Sequence, residues 1–172
     1  MVGPDGPELS DAEKCPSCGY DSPAPAGAIE PPLHASPGCY AAYQELSAYN
    51  LQRARREFLH QEAVDAYAAQ HPGPPAKPIS TWFALVGLHL AIDQGRTGRQ
   101  VQRAHVRLAR CKRNWPVLPP PDDLGGMCAA DVMLLPSGES RDDALLRWAA
   151  AVWQRWISVH ETIATLCVHE GL

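Results

Sequence analysis

No stretch of this 172-residue chain is apolar for long enough to span a bilayer, and no apolar h-region follows its first residues. The expectation is a non-membrane protein in a cytoplasmic, reducing setting. A G-x-S-x-G elbow, a phosphate-cradling glycine loop and an H-E-x-x-H pair are also missing. His160-Glu161 comes nearest to the last, but the next histidine, His169, stands nine residues on. No sequence motif therefore names a catalytic chemistry. A dominant positive charge is lacking as well: the net charge of −4 argues against a chain that coats nucleic acid along its whole surface. There is no internal repeat and no convincing alternation of apolar and polar residues, which speaks against a repeat array or an extended sheet. The length is that of about one domain, and a hydrophobic fraction of 45% is ordinary for a globular chain.

What the chain does have is cysteine in a telling arrangement. Cys15-Pro16-Ser17-Cys18-Gly19 is a C-x-x-C-G element, followed by Cys39 in Pro37-Gly38-Cys39. Two intervening residues let both thiolates reach one ion, and the glycine relieves the tight turn beneath the sulfurs. His34, separated from Cys39 by four residues, would complete a tetrahedral set of three cysteines and one histidine, and the implied ion is Zn2+. A thioredoxin-like redox pair would sit at a helix start after a hydrophobic strand, whereas Cys15 follows the polar run Ser10-Asp11-Ala12-Glu13-Lys14. The other cysteines, Cys111, Cys128 and Cys167, are scattered singly and read as small core residues. Prolines at 16, 23, 25, 31, 32 and 37 keep the segment from building its own core, so a metal staple would order it. Residues 1–14 read as a flexible leader, and residues 15–172 as one helical domain that includes the cysteine-rich loop 15–39.

Helical patterning begins after Cys39, where Tyr40, Tyr43, Leu46 and Tyr49 form a stripe. A second helix runs from about Phe58 to the stop signal His71-Pro72-Gly73. Ser80 reads as the N-cap of an apolar helix from Trp82 to Asp93, and a polar helix spans about Gly98 to Asn114. After the extended Trp115–Pro121 connector, Val132–Leu135 is a short apolar piece. Ser140, with Asp143 three residues on, resembles a capping box that opens one long final helix carrying Leu145, Trp148, Val152, Trp156, Val159 and Ile163. The fold class is all-α: a helical bundle with an irregular, zinc-stapled N-terminal loop.

Three sets of residues could carry function. His60 and His71 share a face of the second helix but lie about 16 Å apart along it, so at most one joins the cysteines. A hairpin turning near Asn50 brings Cys39 level with about position 60, which favours His60 as a ligand over His71. A single unbroken helix would leave His34. His71, with Tyr67 and Gln70, could instead face Trp156 and His160 of the final helix and form a pocket for a small molecule or a general base. Finally, seven of the 15 Lys and Arg lie between Arg96 and Arg113, and Arg99, Arg103, Arg107 and Arg110 line one helix face that could track phosphates.

Several stretches together resemble an uncharacterised bacterial family of small proteins, a domain of unknown function. They are Cys15-Pro16-Ser17-Cys18-Gly19, Ala35-Ser36-Pro37-Gly38-Cys39-Tyr40 and Val64-Asp65-Ala66-Tyr67-Ala68-Ala69-Gln70-His71-Pro72-Gly73. The C-terminal run of Trp148, Trp153, Trp156 and His160 matches as well. The resemblance implies no activity, but it draws attention to His60, Asp65, Tyr67, Gln70, His71 and His160. One departure is Ala84-Leu85, where the family carries a His-Leu pair; His89 stands one turn later. The expectation is a zinc-binding helical protein with a structural metal and a binding or regulatory role toward a small molecule or protein. A metal-dependent enzyme is the alternative, and nucleic-acid binding the second alternative.

Overall fold

The computed structural model describes residues 13–53 and 57–172. The predicted leader therefore falls outside the described residues, except for Glu13 and Lys14. These two form β1 (Glu13–Lys14), which pairs antiparallel with β2 (Asp21–Ser22). The ribbon is a small addition to the all-α reading, which the helices of the described residues bear out. It escapes the alternation test because it is two residues long and polar, and it closes the turn that holds Cys15 and Cys18. Cys15 N–H donates to the Tyr20 carbonyl (2.7 Å) and Gly19 N–H to the Cys15 carbonyl (3.0 Å). Gly19 sits at φ 76°, where a side chain would be strained, so its presence after the second cysteine has a backbone cause.

Among the described residues, seven α-helices follow: α1 (Pro37–Gln52), α2 (His60–Gln70), α3 (Pro78–Leu88), α4 (Gly98–Leu108), α5 (Ala129–Leu134), α6 (Glu139–Arg155) and α7 (His160–His169). α3 continues through a π-helical turn at His89–Asp93, and a 3-10 turn, Ile157–Val159, joins α6 to α7. The long final helix expected from the sequence is thus two helices. No proline or glycine marks the break. It falls at Trp156, whose indole N–H donates to the Ala69 carbonyl (3.0 Å) and so ties the turn into the core. Two caps also shift. α3 starts at Pro78 after Lys77, and α6 starts at Glu139 after Gly138, not at the serines 80 and 140.

α2 is the axis of the bundle, packed against α1, α3, α4 and α6. Its sequence tells why: Ala63, Ala66 and Ala69 are fully buried and small, so neighbouring backbones approach closely on several sides. That closeness also buries polar residues, among them Gln61, Glu62, Asp65 and Gln70. The start of α4 presses on the residues before α2, so that a Cβ on Gly98 would meet the Phe58 carbonyl oxygen at 2.1 Å. Under this contact Glu62 is buried with Oε2 unpaired among the described residues, and desolvation pushes its carboxyl up from 4.5 to about 7. A carboxyl raised on folding stabilises the protonated form, so its contribution is lost as pH climbs from about 4.5 through 7. Two and a half units correspond to about 3 kcal/mol above pH 7. Glu62→Gln is expected to abolish that loss: between pH 4.5 and 8 the variant should gain up to about 3 kcal/mol relative to the parent in denaturant melts. Parallel curves for the two proteins would contradict it.

Candidate metal centre

Four side chains converge where the ribbon meets the α1–α2 hairpin. The Sγ atoms of Cys15, Cys18 and Cys39 and a ring nitrogen of His71 all lie within 4.8 Å of one another, and all four residues are buried. Cys18 Sγ is 3.6 Å from Cys39 Sγ, which is 3.3 Å from His71 Nε2. A tetrahedral ion with metal–sulfur bonds of about 2.3 Å would space its sulfurs about 3.8 Å apart, so these separations fit one ion.

Each donor is positioned by an identifiable local cause. Cys15 and Cys18 are set by the ribbon turn. Cys39 lies in the first turn of α1, whose N-cap Ser36 accepts from the Cys39 backbone N–H (3.3 Å). Unsatisfied N–H groups and the helix dipole favour a thiolate there. His71 caps the end of α2 before Pro72-Gly73. Its Nδ1–H donates to the Tyr67 carbonyl (2.8 Å), one of the orphan carbonyls of the last turn. That bond fixes the tautomer, leaving the Nε2 lone pair toward the thiols, as second-sphere partners of metal-bound histidines do. The Tyr67 hydroxyl donates to Cys39 Sγ (3.7 Å).

Crowding governs the protonation of the set. Cys15 is held below the usual thiol range, chiefly by hydrogen bonds from Cys18 and Cys39. Cys18 is pushed up, first by its contact with the Cys128 thiol and then by Cys15 and Cys39. Cys39 is raised mainly by Cys15. The packed thiols thus share protons that a cation would displace. Cys128, read from the sequence as a core cysteine, is buried and adjoins the centre through Cys18.

The fourth donor corrects the expectation of His34 or His60. His34 is exposed and its Nδ1 lies 3.1 Å from Ser17 Oγ. His60 opens α2, edge-on to Phe58, with Nδ1 unpaired among the described residues. The hairpin estimate placed Cys39 too near the start of α2. From Cys39 to the end of α1 is about as long as α2 itself, so antiparallel pairing sets Cys39 level with the far end of α2. The register is visible in two rungs: Cys39 opposite His71, and Tyr43 stacked on Tyr67 (centroids 4.0 Å apart, 12° between planes).

Most side chains expected to line a pocket between α2 and the last helix are packed into the core, and a small cavity of about 60 Å³ remains beside Gln70 and Val152. Gln70 Nε2 donates to the carbonyls of Leu124 (2.9 Å) and Met127 (3.0 Å), and its Oε1 accepts from Trp148 Nε1 (2.9 Å). Trp156 is fully buried against Ala69. His160 stacks on Trp153 (3.7 Å, 9°) and its Nε2 lies 3.0 Å from the Trp153 carbonyl. With His71 turned to the thiols, these groups are core and metal-centre parts. A different cavity, of about 650 Å³, opens on the other side of Tyr67, lined by α1, α2, α3 and α4 together with Pro32 and Leu33. The predicted arginine face is exposed, with Arg99 over the Phe58 ring and Arg107 donating to the Glu170 carbonyl (3.4 Å).

Fold and centre together define a helical protein with a buried cluster of three cysteines and one histidine able to hold a metal ion. The chain belongs to a family of unknown function (DUF5946), whose profile matches residues 13–157. All four cluster residues and the whole cavity lie within that span. No curated protein and no solved structure matches the chain. Among the described residues, no helix is long and apolar enough to cross a membrane.

Proposed function

We propose that this protein binds one Zn2+ as a structural staple and that its task is binding, carried out at a site beside the metal. The observation that carries the reading is the donor set: three thiols and one imidazole, from three separate chain segments, all buried and mutually within 4.8 Å. Soft thiolates select zinc over magnesium or calcium, and four protein ligands make a closed site, whereas catalytic zinc keeps a position for water. The donor set therefore favours the structural role over the metal-dependent enzyme. The zinc would cross-link the proline-rich ribbon to the α1–α2 hairpin, supplying order that residues 13–39 cannot obtain from a core of their own. The binding role is supported by the cavity on the far side of Tyr67, whose size suits a small molecule.

Metal removal tests this. Stripping with a thiol-competent chelator under reducing conditions is expected to lower the melting temperature by about ten degrees or more and to expose Cys15, Cys18 and Cys39 to thiol reagents. Zinc added back should reverse both. An unchanged melting curve after complete stripping would contradict a structural metal.

A further inference from the structure

The 650 Å³ cavity has a composition that specifies a ligand class. Its rim and walls are apolar and aromatic: Leu33, Tyr40, Tyr43, Ile79 and Phe83. Among the described residues, no lysine or arginine lines it. Its one carboxyl is Asp65, 3% exposed, which receives a hydrogen bond from Gln61 Nε2 to Oδ1 (3.1 Å) and has no cationic partner among the described residues. A carboxylate has room for several donors, and leaving one so buried without them is costly. Desolvation accordingly pushes the Asp65 carboxyl well above its usual range.

The fold nonetheless makes space for this group. Gly87 of α3 lies against it, and a Cβ there would come within 1.9 Å of Asp65 Oδ2. Even alanine at 87 would drive into the carboxyl.

The neighbouring polar groups are aligned to add acceptors and no positive charge. His105 Nε2 is 2.9 Å from the Phe83 carbonyl and so carries the ring proton, leaving Nδ1 as an acceptor. Burial holds the His105 pKa down, which keeps the ring neutral. Gln61 Nε2 stands between His105 Nδ1 (3.5 Å) and Asp65 Oδ1, so both amide hydrogens point at acceptors and the amide oxygen remains to accept. The polar groups of the cavity are thus rich in acceptors, and aromatic faces stand beside them: Phe83 lies against His105 (centroids 5.4 Å apart), and Tyr40 and Tyr43 line the same cavity. An ammonium group would supply the counter-charge that lets Asp65 lose its proton to solvent, and would meet the rings by cation–π contact.

We infer that this cavity is a binding site for a small organic amine, its ammonium held by Asp65 and Gln61 and its apolar body packed against Tyr40, Tyr43 and Phe83. The inference deepens the binding role proposed above by naming its ligand class. It does not depend on what the metal is.

Matched probes test it by calorimetry or by ligand-observed NMR on the full chain. 3-Phenylpropylamine and 3-phenylpropan-1-ol have the same body and differ in charge. The amine is expected to bind at least about tenfold more tightly than the alcohol, the scale of one buried charge-assisted contact. Asp65→Asn keeps the acceptor for Gln61 and the side-chain volume while removing the ionisable group, so it should fold; its affinity for the amine should fall to that of the alcohol. Tyr43→Leu should weaken both probes while preserving the preference. Equal binding of amine and alcohol, an undiminished preference in Asp65→Asn, or no binding of either at millimolar concentration would each overturn the inference. Metal content read on the same samples separates the two proposals. Zinc retained without amine preference defeats only this one, and amine preference without zinc defeats only the structural-metal reading.

Discussion

His71→Ala is expected to cost this protein its metal, while His60→Ala and His34→Ala leave it in place. His71 is fully buried with Nε2 3.3 Å from Cys39 Sγ, and its other nitrogen is committed to the Tyr67 carbonyl. Losing an outer-sphere partner of a metal site costs about 10–100-fold in affinity, so losing a ligand should exceed that range. The fold should suffer with it, because the proposed metal would cross-link the ribbon to the hairpin. His71→Cys offers a control, since a fourth thiolate makes an all-sulfur tetrahedral zinc site and should recover much of the affinity. His60 lies at the opposite end of α2, some 16 Å away along the axis at about 1.5 Å per residue. Its replacement should shift metal affinity less than about twofold in a competition titration. Metal loss in His60→Ala with retention in His71→Ala would reverse the assignment.

The second large effect is expected at Trp148. Its side chain is fully buried on α6 and its Nε1–H donates to Gln70 Oε1. Gln70 in turn holds the loop at Leu124 and Met127, which passes over the cysteine turn: a Cβ on Gly125 would come within 3.5 Å of the Cys18 carbonyl oxygen. Trp148→Ala removes a large buried ring and orphans the Gln70 oxygen, together about 5 kcal/mol. That is comparable to the whole stability of many domains, so the variant should be largely unfolded at about 37 °C. Trp148→Phe keeps most of the volume and loses the hydrogen bond, costing about 1–3 kcal/mol in denaturant melts. A near-neutral Trp148→Phe would mean that the Gln70 network adds nothing beyond packing.

Local chemistry is the legible part of this protein. The C-x-x-C-G turn and its glycine can be read from spacing, because two thiols that share an ion stand three apart, and Cys39 is read from its place in the same proline-rich segment. The helices around Cys39, Gln70, Trp82 and Val101 follow from periodicity and stop signals. His71 escapes as a ligand because the fourth donor depends on how two helices pair, a matter of relative length across a turn. A signal is nevertheless present. Cys39 and Tyr43 are four apart on α1, Tyr67 and His71 four apart on α2 in the reverse order, which is the pattern of two rungs on an antiparallel helix pair. The break at Trp156 carries no such signal, since Glu139 to His169 contains neither proline nor glycine. The cavity beside Tyr67 is equally hidden: its lining comes from four helices and a loop, and although the family motif draws attention to Asp65, only the packing of α3 and Gly87 against it reveals its burial.

Elemental mass spectrometry of the protein purified from cells without added metal tests the central claim most directly. The account predicts about one zinc per folded chain, retained through gel filtration and absent from His71→Ala. A well-folded, monodisperse sample with no bound transition metal would contradict it.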